Sequence, residues 1–336
     1  MNLPPIAATT TGSFPRPTWL AETNRTAVVF RLEGEPLREA QDDATALSLR
    51  EQEAMGLDLL TDGEQRRISF INHVIAGMDG FDFTRTRPKA IRRRDVANRE
   101  VPIVVGAVRR RGPIVVEDLR FAKAHTTCPV KMAVPGPLTV VDTTFDEYYK
   151  DEEALAMDVA VGLNAELLEL QTAGADMLQI DEPAMTRYHE KTAAFGARAL
   201  DRCLENVTVP TVVHLCYGYP GGERQQHQYE YPELLQVLMG TRISGFSVEF
   251  ARSGYDPAVL AACAGRLVMF GCVDPGDTPA EPVSVVVDRV RAALKYVDPA
   301  RLLITPDCGL MTISRDLARR KAEVLVQAAR EVRRWL

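Results

Sequence analysis

Residues 212–218 contain two candidate metal ligands, His214 and Cys216, at the end of an apolar run. In an extended strand, side chains two residues apart point to the same side, so both could bind one ion. When such a pair stands alone, a buried histidine beside a buried free cysteine is the commoner explanation. The metal interpretation therefore depends on where the other candidate ligands lie along the chain.

Short apolar runs alternate with longer stretches of helical periodicity through most of the chain. Continuously apolar strands separated by helices are typical of a parallel sheet covered on both faces. Eight such strands predict an α/β protein with a closed (β/α)₈ TIM barrel, a single domain over residues 1–336. An open doubly wound sheet is the alternative, but no Gly-x-Gly-x-x-Gly turn follows the first strand. The predicted strands are residues 6–11, 57–61, 130–134, 176–180, 211–215, 245–248, 267–271 and 302–305.

The segment between the second and third strands is too long for a simple crossover. We predict an insertion at about residues 65–128 that contains a hairpin, with strands at 103–108 and 114–116. The favoured interpretation of its many positive charges is a solvated face; the alternative is a surface that attracts an acidic partner. The basic residues are Arg85, Arg87, Lys89, Arg92, Arg93, Arg94, Arg99, Arg109, Arg110 and Arg111.

Polar or metal-ligating side chains stand at nearly every predicted strand end. In a barrel of this kind the active site is built at the C-terminal ends of the strands, so these side chains should converge. Burying so many ionisable groups together costs stability unless a metal or a substrate pairs with them. The residues at these ends are Ser13, Glu64, Asp181, Glu182, His214, Cys216, Glu249, Asp274 and Cys308.

Four of these side chains form a nitrogen, sulfur and oxygen donor set that suits zinc. Two of them also have simpler interpretations: Cys308 could be a small residue before a tight turn, and Glu249 could pair with Arg252. Cys272 is the rival cysteine at a strand end, but strand alternation aims it into the packing. The predicted Zn²⁺ ligands are His214, Cys216, Glu249 and Cys308.

A zinc site with two thiolates suits the activation of a substrate thiol, because zinc lowers the thiol pKa. Glu64 and Asp181 then suit a positively charged group such as an α-ammonium. The turn at Gly12 and Ser13 offers a backbone N–H and a hydroxyl to a carboxylate. Ammonium, carboxylate and thiol together describe an amino-acid thiol.

The charge and the cysteines limit the partners and the compartment. The net charge of −6 argues against general binding of nucleic acid or of an acidic membrane, both of which need a basic surface. No apolar run approaches the ~18 residues of a membrane span, and no signal peptide is visible. The six scattered cysteines are typical of a reducing compartment, so we predict a cytoplasmic protein.

Five motifs spread over nearly the whole chain resemble those of the cobalamin-independent methionine synthases. The resemblance is to their C-terminal catalytic barrel, and most closely to the short single-barrel versions of archaea and some bacteria. The motifs are TTTGSFP at 9–15, TDGEQRR at 61–67, QIDEP at 179–183, HLCYG at 214–218 and PDCGL at 306–310.

This resemblance implies a (β/α)₈ barrel with a catalytic zinc held by two cysteines, one histidine and one glutamate. It implies that the thiol of homocysteine is activated as a zinc thiolate and receives a methyl group, giving methionine. The implied ligands fall on His214, Cys216, Glu249 and Cys308, and the implied homocysteine-binding positions on Ser13, Glu64 and Asp181.

The part of the family pattern that serves the methyl donor is altered. Nothing in this sequence corresponds to the N-terminal barrel with which the full-length enzymes help to bind methyl-folate. Those enzymes also carry a histidine shortly after the seventh strand, and Gly276 lies at about that position in this chain.

We predict Asp274 and Glu182 as catalytic residues, and the donor is open between methyl-folate and a methylated corrinoid protein. The basic insertion could be the docking surface for such a donor or for an accessory protein.

Two alternatives differ in what the zinc does. In an epoxide–coenzyme M transferase of the same superfamily, zinc also activates a thiol, but that thiol bears a sulfonate and no amine. Glu64 and Asp181 favour homocysteine, because coenzyme M has no ammonium for them to bind. A non-catalytic zinc-binding barrel would instead have a closed four-ligand site that no substrate thiol joins.

Overall fold

The computed structural model describes residues 3–22, 28–91, 99–217 and 231–336. Eight parallel strands form one sheet in the order β1-β11-β10-β9-β8-β7-β5-β2, and three further strands form a smaller sheet. All eight predicted barrel strands are present. The strands are β1 Ala7–Ala8, β2 Leu60–Thr61, β3 Met78–Lys89, β4 Arg99–Arg110, β5 Val130–Pro135, β6 Phe145–Asp146, β7 Met177–Asp181, β8 Thr211–Leu215, β9 Gly245–Glu249, β10 Leu267–Val273 and β11 Leu302–Pro306.

The two edges of the large sheet meet, which closes the barrel. Thr9 forms a parallel bridge with Leu59, directly between β1 and β2. The backbone N–H of Asp58 donates to the carbonyl of Ala8 at 2.9 Å, and the Thr9 hydroxyl donates to the carbonyl of Leu59 at 2.7 Å. The TIM barrel fold predicted from the eight apolar runs is therefore confirmed.

Helices surround the barrel, and two of them begin where the sequence predicts. The Asp151 side chain accepts the N–H groups of Glu153 and Ala154 at the start of α5, and Ser314 caps α10 by accepting from Leu317. None of the helices in the described ranges is long and apolar enough to cross a membrane. The helices are α1 Gly34–Met55, α2 Asn72–Ile75, α3 Val116–His125, α4 Pro137–Asp142, α5 Glu152–Thr172, α6 His189–Lys191, α7 Ala197–Cys203, α8 Tyr231–Leu238, α9 Val283–Ala293 and α10 Arg315–Arg333.

The barrel interior changes from apolar to polar along the strands. An apolar layer fills its N-terminal half, and polar side chains such as Lys131, Gln179 and His214 occupy the next layer. Interior side chains of such barrels stack in layers, so the polar layer lies directly beneath the C-terminal mouth. The apolar layer consists of Ala7, Leu59, Met177, Val212, Met269 and Leu303.

The segment between β2 and β5 contains an antiparallel pair, β3 with β4, to which β6 adds in parallel. The prediction of a strand at residues 114–116 is wrong, because Val116 begins α3. The buried carboxylate of Glu166 accepts the backbone N–H groups of Ile114 and Val115. The carboxylate thus binds backbone N–H groups that a neighbouring strand would otherwise bind. The β-branched residues of this segment do not indicate such a contact.

Several of the insertion's positive charges are balanced by neighbouring acids. Arg85 pairs with Asp82 at 2.6 Å, and Arg87 pairs with Glu147 at 3.1 Å. The half-buried Arg110 binds Glu166 at 2.7 Å. Arg92, Arg93 and Arg94 lie outside the described residues, so docking at that surface stays a prediction.

Candidate metal centre and amino-acid site

Three predicted metal ligands lie together at the mouth of the barrel. His214 is the last residue but one of β8, Cys216 follows that strand, and Cys308 follows β11. One ligand atom from each lies within 4.8 Å of the other two. The two sulfur atoms are 3.3 Å apart. His214 and Cys216 are buried and Cys308 is half-buried, so the group is closed on one side and accessible on the other.

Glu249, the fourth predicted ligand, ends β9 and is buried. β9 pairs with β8, and His214 lies opposite Ser247. The Glu249 side chain is not part of the group of three within 4.8 Å. Burial and then the charge of Glu249 raise the pKa of Tyr231, and the nearby Cys216 acts in the same direction. Glu249 therefore lies in the neighbourhood of the cysteine but outside the tight group.

The histidine and cysteine side chains have the features of a metal site. The His214 Nδ1 atom lies 3.0 Å from the Ser247 hydroxyl, which fixes the ring. The Nε2 atom is buried and has no nitrogen or oxygen hydrogen-bond partner within the described part of the chain, while the ring interacts with the Cys216 side chain. Since buried polar atoms are almost always paired, such a nitrogen fits a metal ligand.

Without a metal, the surroundings of Cys216 disfavour its thiolate form. The hydrogen bond to Cys308, followed by burial, raises the pKa of Cys216 well above its ordinary value. Burial lowers the pKa of His214, but the neighbouring Cys216 and Asp181 more than offset this, so the net shift is upward. A divalent cation would reverse the balance at the cysteine, because it stabilises thiolates. The donor set fits zinc.

Two residues that sequence reasoning did not single out hold the ligand segments together. The Tyr231 hydroxyl donates to the carbonyl of Leu215 at 2.8 Å and accepts the N–H of Glu249 at 3.1 Å. One hydroxyl thus connects the ends of β8 and β9. Tyr231 begins α8, and nothing in its local sequence indicates this contact.

Asp307 connects the ends of β9 and β11. Its buried carboxylate accepts the backbone N–H groups of residues 250–252 at 3.1, 3.0 and 2.7 Å. Burial raises the pKa of Asp307 to about 7, although these backbone hydrogen bonds oppose the shift. Because Asp307 lies between Glu249's loop and Cys308, it positions both. The only sequence signal was its place inside the PDCGL motif.

Replacing Tyr231 with phenylalanine should weaken zinc binding by about tenfold, because groups that support metal ligands contribute on this scale. A competition titration against a chromogenic chelator measures the affinity. The matched control is Tyr149→Phe, since the Tyr149 hydroxyl also accepts one backbone N–H and donates once, but at the insertion. Equal zinc affinity in Tyr231→Phe and Tyr149→Phe would contradict the assigned role of Tyr231.

The predicted amino-acid-binding residues lie beside the metal ligands. A side chain at position 309 would come within 2.1 Å of the Ser13 hydroxyl, so Gly309 lets Ser13 lie against the residue after Cys308. In the same way, a Cβ on Gly12 would lie 2.9 Å from a carboxylate oxygen of Glu64. At both positions a side chain would force the Ser13 or Glu64 side chain to move from its present place. Ser13 and Glu64 are thereby brought to the same mouth as Cys308.

Glu64 and Asp181 are buried carboxylates within electrostatic reach of each other. Burial raises the pKa of Glu64 to about 7, while Arg67 lowers it. Burial also raises the pKa of Asp181, while His214 opposes the shift. Two buried acids whose ionised forms are disfavoured gain from a bound cation. An ammonium group suits this position.

Glu182, whose catalytic role stays a prediction, binds the N-terminus of a helix. Its carboxylate is fully buried and accepts hydrogen bonds from Leu138, and from the backbone and hydroxyl of Thr139. These donors form the N-terminus of α4, where a carboxylate is stabilised by the helix dipole. Its position anchors α4 to the end of β7.

Asp274 organises the loop after β10. Its carboxylate accepts the N–H of Gly276 at 2.8 Å and the hydroxyl of Thr278 at 3.1 Å. The Arg252 Nε atom lies 3.4 Å from the same carboxylate. The position predicted to lack the family's histidine, Gly276, therefore lies beside an arginine and an aspartate.

Cys272, the rival cysteine, lies in the core. It is fully buried within the main hydrophobic cluster, and burial raises the pKa of its thiol well above the ordinary range, far from that of a reactive thiolate. The alternation of side chains along the strand predicts this position, because it directs Cys272 into the packing.

Comparison with known proteins decides the family. The sequence model of the protein family described as "Cobalamin-independent synthase, Catalytic domain" matches residues 6–331. The chain belongs to this family. A methionine synthase from Pyrococcus abyssi is 31% identical over all of this chain and 95% of its own. One from Thermococcus kodakarensis is 32% identical over all of this chain and 96% of its own.

A solved structure agrees with this assignment. It is a B12-independent methionine synthase from a Shewanella species, in complex with selenomethionine, and it is 35% identical to this chain. The match covers 99% of both chains with a TM-score of 0.94. The chain is therefore a methyltransferase of the cobalamin-independent methionine synthase type.

Proposed function

We propose that this chain transfers a methyl group to the thiol of homocysteine, giving methionine, and that Zn²⁺ activates the thiol. The observation that carries the proposal is the convergence of His214, Cys216 and Cys308 within 4.8 Å, with a buried histidine nitrogen that has no nitrogen or oxygen partner among the described residues. When bound, zinc lowers the pKa of a substrate thiol and so supplies a thiolate at neutral pH.

The chain's own residues divide the remaining work. His214, Cys216, Cys308 and Glu249 would hold the metal, and Tyr231 and Asp307 would keep the strand ends that carry them in place. Glu64 and Asp181 would bind the substrate ammonium, since both are buried and lie near each other. Ser13 would bind the carboxylate beside Gly309. The substrate is thereby oriented with its thiol toward the cysteine pair.

The alternative of an epoxide–coenzyme M transferase is weaker at the same residues. A sulfonate placed near Glu64 and Asp181 would be repelled by the two carboxylates. Coenzyme M has no ammonium group that could bind these carboxylates. The ammonium group of homocysteine would instead be attracted to these two carboxylates. The buried acids therefore support an amine-bearing thiol.

A donor screen with homocysteine tests the proposal. We expect methionine from at least one of methyl-folate, with a short or a long glutamate tail, and methylcobalamin, detected by mass spectrometry. A metal chelator should abolish the product and added zinc should restore it. Coenzyme M with a short epoxide is the parallel assay. Alkylated coenzyme M without any methionine would overturn the proposal, and zinc binding without turnover of either thiol would favour a non-catalytic barrel.

A further inference from the structure

We propose that Lys131 is a positioning residue that makes the site selective for the α-amino group of its substrate, acting through Gln179 on Asp181. The inference rests on the proposed function, because it concerns the carboxylate assigned to the substrate ammonium. Lys131 lies on β5 and Gln179 and Asp181 lie on the neighbouring β7. Neither Lys131 nor Gln179 has a role in the chemistry described above.

Lys131 is fully buried inside the barrel and its ammonium is fully used. The Nζ atom donates to the carbonyls of Thr10 and Thr11 at 2.9 and 3.1 Å, and to the Gln179 side-chain oxygen at 2.5 Å. An ammonium has three N–H donors, and three oxygen acceptors surround it. Burial lowers the pKa of Lys131 to about 7, although Asp181 and Glu64 oppose the shift. The three oxygen acceptors favour the ammonium form, and such complete pairing holds the neighbours in one arrangement.

The contact with Lys131 sets the orientation of the Gln179 amide. Because the amide oxygen accepts from Lys131, the amide nitrogen faces the other way and donates to a carboxylate oxygen of Asp181 at 2.7 Å. Both charged neighbours select this orientation, because the flipped form would also direct amide N–H groups at the lysine ammonium. The flipped form would direct an oxygen at the carboxylate, which is repulsive. Lys131 therefore strengthens the orientation in which Gln179 donates to Asp181.

The same lysine connects the two parts of the proposed amino-acid site. Thr10 and Thr11, whose carbonyls it binds, directly precede the turn of Gly12 and Ser13. Its positive charge also opposes the effect of burial on the pKa of Asp181, which favours the carboxylate form. One buried side chain thus supports both the β1 end and the β7 end of the site.

A purely structural role makes a different prediction from a role in selectivity. A structural defect at Lys131 would weaken the binding of every thiol substrate alike. A role in selectivity would weaken only those thiols that bear an amine. Homocysteine and γ-mercaptobutyrate separate the two, because they share the thiol, the carbon chain and the carboxylate but only homocysteine has the amino group.

The test measures the affinity of both thiols for zinc-loaded wild type and Lys131→Met by titration calorimetry. We expect Lys131→Met to weaken homocysteine binding about tenfold and to leave γ-mercaptobutyrate binding within about twofold, since one charge-assisted contact is impaired. Gln179→Leu should show the same selective loss, and it carries the test if Lys131→Met does not fold. Lys321→Met is the matched control, because Lys321 is equally buried but donates to Asp274 and Thr278. Its ratio of the two affinities should equal that of wild type.

Each remaining outcome contradicts a different claim. If Lys131→Met and Gln179→Leu weaken both thiols equally, or neither, the proposed selectivity role of Lys131 is wrong. If wild type itself binds the two thiols with equal affinity, the ammonium site of the proposed function is wrong, and the role of Lys131 fails with it.

Discussion

Replacing Cys216 or Cys308 with serine should remove zinc binding and methyl transfer together. Both sulfur atoms belong to the group within 4.8 Å, and a serine hydroxyl is a far weaker zinc ligand than a thiolate. Residues that only hydrogen-bond to metal ligands already change metal affinity or activity by about ten- to a hundredfold. Loss of a ligand itself should therefore lower activity by more than about a hundredfold. Metal content by mass spectrometry and methionine formation measure the two effects on the same samples.

Cys272→Ser is the matched control for these variants. Cys272 is the last residue but one of β10 and lies in the hydrophobic core, so its replacement should lower stability while the zinc content stays at the wild-type level. If Cys216→Ser or Cys308→Ser kept full zinc and full turnover, the ligand assignment would be wrong.

Replacing Asp181 with asparagine should weaken homocysteine binding by about tenfold to a hundredfold and leave the metal content unchanged. The substitution removes the charge that the proposal pairs with the substrate ammonium, and charge-assisted hydrogen bonds contribute about 1.5–3 kcal/mol. The expected signature is a raised KM for homocysteine in variants that bind zinc like wild type.

Asp176→Asn provides the control at the other end of the same strand. Asp176 precedes β7 and binds Lys123 at 2.7 Å, so its replacement should not change the affinity for homocysteine. Loss of zinc in step with substrate in Asp181→Asn would instead mean that Asp181 supports the metal and does not bind the ammonium.

The barrel was predictable because its strands are short apolar runs that end at polar or turn-forming residues. β8 and β11 begin where the sequence predicts and end at the predicted residue or one beyond it. The strand expected at residues 114–116 failed for a physical reason. Its β-branched composition favours a strand, but the buried Glu166 carboxylate binds its backbone from outside the segment.

The residues at the mouth were predictable because a barrel brings the C-terminal ends of all its strands together. This argument singled out His214, Cys216 and Cys308 before any geometry was known. It does not distinguish a side chain that faces the mouth from one that anchors a helix. Glu182 binds the N-terminus of α4, and its catalytic role stays a prediction.

The supporting residues were not predictable, because their partners are distant in sequence. Lys131 lies inside an apolar strand, and only the closed barrel brings it to the carbonyls of Thr10 and Thr11. Tyr231 shows the same dependence, since its hydroxyl joins two strand ends that are adjacent only in the folded sheet.

The central claim is that the metal at this site receives the thiol of homocysteine. X-ray absorption at the zinc edge, recorded with and without homocysteine, tests it most directly because sulfur and lighter ligands are resolved by their distances to zinc. We predict two sulfur neighbours of zinc in the free enzyme and three after homocysteine is added. Norleucine, an amino acid of similar length that contains no sulfur, should leave the sulfur count at two. A sulfur count that stays at two in the presence of saturating homocysteine would contradict the account.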